Sequence, residues 1–444
     1  MRLSARLTLL LLVAVFAANI YRAATQGITI DEAFTYQHFV APPLHQVMTY
    51  YNTNHHVVNS LLAKVTTRLF GLSELTLRIP SLLGGLIYLL AVRAIVLYVF
   101  SAEWAIATFA LLSLNPFVLD YLSAARGYGL ALGFLMSALW FLLRSKWYPG
   151  GLCCGLAVAS NFSFACPVVA LGAMVLLDVP KKNFGQLLYR VYVPAAVLPF
   201  VLYVLPVSRG YFENQGAPSM IDALQSHIYL AFLRKMPPFS GLVASSAEGL
   251  AILILVCSAV ACAGILRNKL QTPADRLILL NSGAMVVCLA LTWLGHVTAG
   301  LGYPSTRLGV YWPVMISLGG AALATRYVTI RVLRWTALAL PALCIVQFLN
   351  EFDVRYYGEW RYDAGSQRIA VFILQKQPAG PLRIACSGLL QHSLHFYGNL
   401  NHAGWEVIGE PMADAEFHVL LEEDSQSDLK LLYRDPVSHA VIMQ

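Results

Sequence analysis

The chain has 444 residues, 58% of them apolar and only 12% charged, with a net charge of +7. Soluble globular chains carry about 25% charged residues, so this composition excludes an ordinary soluble domain and points to a bilayer as the main solvent. The basic excess forms no patch that would suit nucleic acid; it punctuates the apolar runs, as the positive-inside rule produces.

Eleven apolar spans are expected, at 7–25, 77–100, 104–121, 127–143, 150–161, 163–178, 190–207, 247–266, 277–297, 307–325 and 335–350. With the N-terminus cytoplasmic, the inner segments hold Arg2 and Arg6; Arg144 and Lys146; Lys181, Lys182 and Arg190; Arg267, Lys269 and Arg276; and Arg326, Arg331 and Arg334. Only the tight turn Ser101–Glu103 lacks a basic residue, so this orientation is the expected one. It places the large polar loops 26–76 and 208–246, and the C-terminal tail, outside. The first run, Leu7 to Ala18 with Arg2 and Arg6 ahead of it, is read as a retained span because its apolar character resumes at Ile20 to Ala24.

The first outer loop opens with "GITIDEAFTY", which carries the adjacent carboxylates Asp31 and Glu32 in an apolar frame. A carboxylate in a partly desolvated site is a useful general base. Further along, "NTNHHVVNSLL" holds His55 and His56 among asparagines, with His38 and His45 upstream. No clean metal spacing exists there, so these are read as hydrogen-bond donors for a phosphate or sugar, or as polar residues of an interfacial helix. The apolar residues Val57, Val58, Leu61, Leu62, Val65 and Leu69 recur at helical spacing, with aromatic anchors at Tyr50, Tyr51 and Phe70. This pattern predicts one or two amphipathic helices in the outer interface.

Between the third and fourth spans, "NPFVLDYLSAARGYGLAL" sets Asp120 and Arg126 at an outer turn beside Tyr121 and Tyr128. Asp120 is expected to face the same cavity as Asp31, or to form a structural ion pair. In "GLGYPSTRLGVYWP", Arg307 opens the tenth span on the outer side, against the positive-inside bias. Arginine is the natural bidentate partner of a phosphate, and snorkelling to headgroups is the competing explanation. The loop 208–246 is punctuated by Pro and Gly and reads as a lid, a binding loop or a disordered segment.

From Glu351 the pattern changes to a small extracytoplasmic α/β unit, 351–444. "GSQRIAVFILQK" and "GLLQHSLHFYG" are expected helices, and "LRIAC", "WEVIG", "FHVLLEE", "LKLLYRD" and "HAVIM" expected strands. It has no nucleotide-binding glycine motif. Of the eight cysteines, seven lie in apolar runs and Cys386 lies in the tail; they are read as small buried hydrophobes.

Taken in order, "DE" after a first span, an amphipathic outer loop with "NHH…LL", "TLRIPSLL" (Thr76 to Leu83), "ARGYGL" and a late Arg ahead of "YWP" resemble the GT-C fold membrane glycosyltransferases. The likeness is to glycosyltransferase family 39, which holds protein O-mannosyltransferases and lipid A aminoarabinose transferase. It covers roughly residues 1–325 and is strongest over 28–130. The resemblance implies a GT-C transmembrane catalytic domain, 1–350, moving a hexose or pentose from a polyprenyl-phosphate carrier to an acceptor hydroxyl with inversion. The acceptor would be a lipid, glycan or protein, and the site would lie on the outer face of what is expected to be a bacterial inner membrane. Asp31 would be the general base, Glu32 and Asp120 would support it, and His55, His56, Arg126, Tyr128 and Arg307 would meet the substrate. No metal or other cofactor is expected. The family reads histidine or lysine followed by two prolines and an aromatic where this chain reads His55-His56-Val57-Val58-Asn59, so the resemblance does not single out the substrate contact there.

Two other readings compete. A transporter or lipid flippase would show broken spans and charges at the midplane, whereas the polar interest here clusters at the span ends. A glycan ligase or polymerase would carry key basic residues in a late outer loop, a possibility that Arg209, Arg234 and Lys235 keep open.

Overall fold

A computed structural model describes residues 2–49, 52, 54–204, 216–234, 240–268, 270–377, 381–409, 415–424 and 428–444. Tyr50, Tyr51, Arg209 and Lys235 lie outside the described residues. Among the described residues, six helices are long and apolar enough to cross a membrane: Leu3–Thr25, Glu74–Val99, Phe184–Tyr203, Ala244–Asn268, Pro273–Ala299 and Thr306–Tyr327. Three shorter apolar helices, Ala102–Ser113, Tyr128–Leu143 and Phe162–Asp178, run among them. The chain is therefore a polytopic α-helical membrane protein.

Two of the long helices begin where the sequence supplies caps, Glu74–Val99 and, at Thr272, Pro273–Ala299. Ser73 and Thr76 exchange side-chain and backbone bonds in a capping box that starts the helix Glu74–Val99. Its 26 residues rise about 39 Å, more than the ~30 Å hydrocarbon thickness. It crosses Tyr128–Leu143 at glycines: a Cβ at Gly84 would sit 2.3 Å from the Leu130 nitrogen, and one at Gly133 would sit 2.5 Å from the Gly84 oxygen. Backbone-to-backbone approach of this kind replaces the hydrophobic drive that lipid does not provide. The expected span 104–121 is broken. Asn115 accepts a bond from the Val118 N–H and Pro116 takes the first helical position, so Ala102–Ser113 ends and a new turn, Pro116–Tyr121, begins.

The first polar loop forms the helix Ile30–Thr35, a wide turn Tyr36–Val40, a short helix Leu44–Val47 and the longer helix Val57–Phe70. The last is amphipathic, as expected, but its faces are reversed relative to a soluble helix. Val57, Asn59, Ser60, Ala63 and Lys64 face the protein, while Leu62, Val65, Leu69 and Phe70 face outward. An outward apolar face suits a helix whose outer solvent is acyl chain. The Lys64 amine bonds the Val40 and Pro42 carbonyls and ties this helix to the turn before it.

The tail matches its sequence pattern. Helices Ser366–Lys376 and Gln391–Leu400 flank a five-stranded mixed sheet. Its strands are β1 (Leu382–Cys386), β2 (Trp405–Gly409), β3 (Phe417–Leu420), β4 (Leu431–Arg434) and β5 (Val441–Met443). The order is β2-β1-β3-β5-β4, with β1 parallel to both β2 and β3, and β5 antiparallel to both β3 and β4. Ile369, Ile373, Ile384, Leu394, Val419 and Ile442 fill its core. The connecting segment 352–365 does not join that sheet. It lies across the loop-bearing end of the helical bundle and meets Arg22, Asp31, Asp120 and Tyr121.

Candidate active site

The adjacent acids Asp31 and Glu32 take opposite sides of one short helix. Thr29 caps that helix, its hydroxyl accepting the Glu32 N–H. Glu32 points inward and is fully buried. Its Oε1 accepts from Arg78 Nε at 2.8 Å and the Ala125 N–H at 2.5 Å; its Oε2 accepts from Arg78 Nη2 at 2.7 Å and the Thr29 N–H at 2.9 Å. A carboxylate has about four lone-pair sites, and all four are used. Burial would raise this carboxyl, but Arg78 and the two backbone N–H groups outweigh it and hold the group below its usual value. Glu32, expected as a supporting catalytic residue, has no lone pair left for an acceptor or sugar.

Arg78 does more than pair. Its Nη1 bonds the Ala23 and Gln26 carbonyls at 3.1 and 2.7 Å, and its Nη2 bonds the Gly27 carbonyl at 2.7 Å. It thus closes the C-terminal end of the first helix and fixes the turn into Ile30–Thr35. Sequence reasoning quoted "TLRIPSLL" without assigning Arg78 a task. The available signal was an arginine inside an apolar span, which is a functional hypothesis by default. Ser81, three residues on, bonds the Arg126 carbonyl at 2.9 Å and Asn59 at 3.3 Å.

Asp31 points the other way, with its side chain 11% exposed. Oδ2 accepts from Arg307 Nη1 at 2.8 Å and the Trp360 indole N–H at 3.0 Å. Oδ1 lies 3.4 Å from Arg126 Nη1. Burial pushes the carboxyl up, while Arg126, Arg307 and the Trp360 bond together bring it below its usual value. The two arginines differ in access: Arg126 is 1% exposed and held by Asn54 at 2.9 Å, whereas Arg307 is 27% exposed.

The two loop histidines also part. His55 stacks flat on Phe39, ring centroids 4.0 Å apart. His56 lies edge-on to Tyr128 at 5.1 Å, and its Nε2 is buried with no hydrogen-bond partner among the described residues. Burial first, then Arg126, His55 and Arg307, push its pKa well down. The fit around it is tight: a Cβ at Gly127 would lie 2.0 Å from the Ser160 carbonyl and 2.7 Å from His56 Cβ. Tyr128 is buried between His56 and Tyr121, whose ring centre is 4.8 Å away.

Asp120 forms an ion pair, the second of its two expected roles, though with Arg22. Its Oδ1 is bonded by Arg22, and its Oδ2 accepts the Gly358 N–H at 2.7 Å. Arg22 lies over the rings of Phe352 and Tyr357 at 4.6 and 4.8 Å. An arginine in the first span needs a counter-ion more than the site needs a third carboxylate, and Asp120 serves that need.

The tail supplies what sequence reasoning missed. Besides Trp360, Asp363 accepts the Ile30 N–H at 2.7 Å and the Ser393 hydroxyl at 2.7 Å. The Tyr397 hydroxyl accepts the Ile28 N–H at 3.0 Å and donates to Glu74 at 2.9 Å. Glu359 is bonded by the Tyr121 hydroxyl. Burial raises both acids; for Asp363 the nearby Asp31 and Glu32 add to it, against bonds from Ile30 and Ser393. Among the described residues, no three His, Cys, Asp or Glu side chains form a group that could hold a metal ion.

An apolar cavity of about 1220 Å³ lies between the helices Ser240–Asn268, Tyr311–Tyr327 and Arg331–Glu351. Leu250, Ile254, Ile316 and Gly320 line it, with His227 and Pro313 toward one end and Asp275 and Arg326 toward the other. Asp31 and Arg307 are not part of its lining; Pro313 is six residues beyond Arg307.

No protein-family model matches the chain, and no curated protein matches it. Among solved structures, it is similar to ArnT from Cupriavidus metallidurans in the apo state, with 15% identity over 98% of this chain and 97% of that chain and a TM-score of 0.48. The same protein bound to undecaprenyl phosphate matches with 15% identity, the same coverage and a TM-score of 0.43. The Archaeoglobus fulgidus oligosaccharyltransferase tethered with an acceptor peptide matches with 12% identity over 91% of this chain and 64% of that chain, TM-score 0.39.

Proposed function

We propose that the chain is an inverting membrane glycosyltransferase that moves a sugar from a polyprenyl phosphate to an acceptor hydroxyl, with Asp31 as the general base. One observation carries the reading: a partly accessible carboxylate at the end of a membrane bundle, bracketed by Arg126 and Arg307. The sequence resemblance to GT-C enzymes supports it, and so does an apolar cavity able to hold lipid beside the helix that Arg307 leads into.

The chemistry follows from the pairing. In the resting state Arg307 occupies Asp31 and keeps it a weak base. A donor phosphate offers a better bidentate partner, and Arg307 is the exposed member of the pair. Once it turns to the phosphate, the Asp31 carboxyl becomes more basic and free to take a proton. The acceptor oxygen attacks the anomeric carbon and its proton passes to Asp31. The carbon–oxygen bond to phosphate breaks, and the lipid phosphate leaves with the electron pair. Arg126 and Arg307 meet the developing charge, each well-placed donor contributing about 2–4 kcal/mol. His56, whose buried Nε2 has no hydrogen-bond partner among the described residues, orients the phosphate or sugar. No step calls for a metal. In this reading the loop-bearing end faces outward, the N-terminus is cytoplasmic and the tail is extracytoplasmic; a reporter fused after Gln444 tests that orientation.

The test uses the full chain in lipid nanodiscs. Asp31→Asn should bind a C55 polyprenyl phosphate with unchanged or higher affinity yet fail to transfer from the sugar-loaded carrier. Undiminished turnover would sink the assignment. Mass spectrometry of the glycolipids and glycans lost on gene deletion would name the sugar and the acceptor.

A further inference from the structure

The tail segment 356–366 is held to the membrane bundle at several independent points. The Tyr356 carbonyl accepts from Arg22 at 3.3 Å, and Gly358 bonds Asp120 through its N–H and Arg234 through its carbonyl. Glu359 is bonded by Tyr121, Asp363 accepts from Ile30, and Ser366 donates to the Ile28 carbonyl at 3.2 Å. Trp360 sits inside this frame, 3% exposed, edge-on to Tyr121 at 5.5 Å and to Tyr357 at 6.3 Å. Packing alone would be satisfied by any large ring. Instead the indole N–H is aimed at the Asp31 oxygen that Arg307 also occupies.

We infer that Trp360 is the positioning residue for the Asp31 base, so that the catalytic carboxylate is set jointly by the membrane bundle and the tail. This rests on the reading of Asp31 as base. Oδ2 has two side-chain donors, and the donor phosphate recruits one of them, Arg307. The indole N–H then holds the carboxylate in place, leaving Oδ1 directed at the acceptor. A neutral donor suits this task. It fixes direction without the full charge that makes Arg307 suppress basicity. Its own position is locked by the bonds on either side of it, the support a preorganised site needs.

Removing the indole N–H takes away a bond that favours the ionised form, so Asp31 becomes a weaker acid. The other groups facing Asp31 are Arg126, Tyr128 and Arg307 from the bundle, and Tyr362, Asp363 and His392 from the tail. Trp360→Phe leaves all of them in place, so a change is assignable to the lost N–H.

The experiment is an isotope-edited infrared titration of the full chain in nanodiscs, labelled with carboxyl-¹³C aspartate and saturated with a C55 polyprenyl phosphate. Asp31→Asn identifies the Asp31 band. In Trp360→Phe its acid dissociation constant should fall about tenfold, as expected for one bond to a charged group, with polyprenyl-phosphate affinity within about twofold of wild type. Trp360→His, which keeps a ring N–H, should recover part of the change. An Asp31 midpoint unmoved in Trp360→Phe would overturn the inference. If Trp360→Phe does not fold, Trp360→His against Trp360→Met, which has no donor, provides the same contrast, and equal midpoints would overturn it. Wild-type protein that fails to bind the polyprenyl phosphate would refute the glycosyl-transfer reading alone, because the same titration run without the probe still reads the Asp31–Trp360 bond.

Discussion

Replacing Arg78 tests whether Glu32 is a clamp or a substrate ligand. The guanidinium makes two bonds to Glu32 and three to the carbonyls of Ala23, Gln26 and Gly27. Arg78→Met would leave a buried carboxylate with only the Thr29 and Ala125 N–H groups, a loss of about 3–5 kcal/mol before the stranded carbonyls are counted. That is close to the whole stability of an ordinary domain, about 5–15 kcal/mol, and the variant is expected not to accumulate. Arg78→Lys is the informative change. An ammonium keeps the charge but has three donors and no planar fork, so at least two of the five bonds go. At about 1–1.5 kcal/mol each the cost is about 2–3 kcal/mol. For a chain of this size that lowers the melting temperature by about 2–3 °C. Unfolding in detergent can be followed by a thiol-reactive dye, since Cys154, Cys262 and Cys288 are buried free thiols. Combined with Glu32→Gln, the two losses should be strongly non-additive. A melting temperature within about 1 °C of wild type, or strict additivity with Glu32→Gln, would refute the clamp.

Other expectations concern charge and pH. Arg307→Ala should weaken polyprenyl-phosphate binding about 10- to 100-fold, measured by titration in nanodiscs, because one charge-assisted contact contributes about 1.5–3 kcal/mol. Glu32 titrates below its usual value of 4.5 in the folded protein, so its stabilisation is complete above that pH and is lost as the pH falls through the lower folded value. Melting curves of wild type should therefore drop in acid more steeply than those of Glu32→Gln. Asp363 shifts the opposite way, so the folded state disfavours its ionised form as pH rises. Asp363→Asn should gain stability relative to wild type with increasing pH and match it in acid; a constant difference across pH would contradict the shift.

Much of the architecture was legible because it rests on local periodicity. The five tail strands and their two helices each carry their own alternation or helical spacing, and the bundle announces itself through long apolar runs. The site was legible as residue types rather than as partners. Asp31, Arg126 and Arg307 were each singled out, but they meet across 95 and 276 residues, and nothing local encodes that meeting. His55 and His56 sit in irregular backbone, where no period says which ring turns inward. The helical spacing of Val57–Phe70 is legible, yet which face meets protein depends on the solvent beyond it. Trp360 was invisible for a further reason: its role exists only because the tail docks 329 residues from its partner.

That docking has a consequence for how the molecule is made. Every helix of the bundle, through Glu351, is synthesised before Trp360, Asp363 and Tyr397. A nascent chain whose bundle is already inserted holds Asp31 by its arginines alone, with the Ile28 and Ile30 N–H groups not yet matched to their tail partners. Maturation of the site therefore waits for the last part of the chain to be translated and folded onto the first.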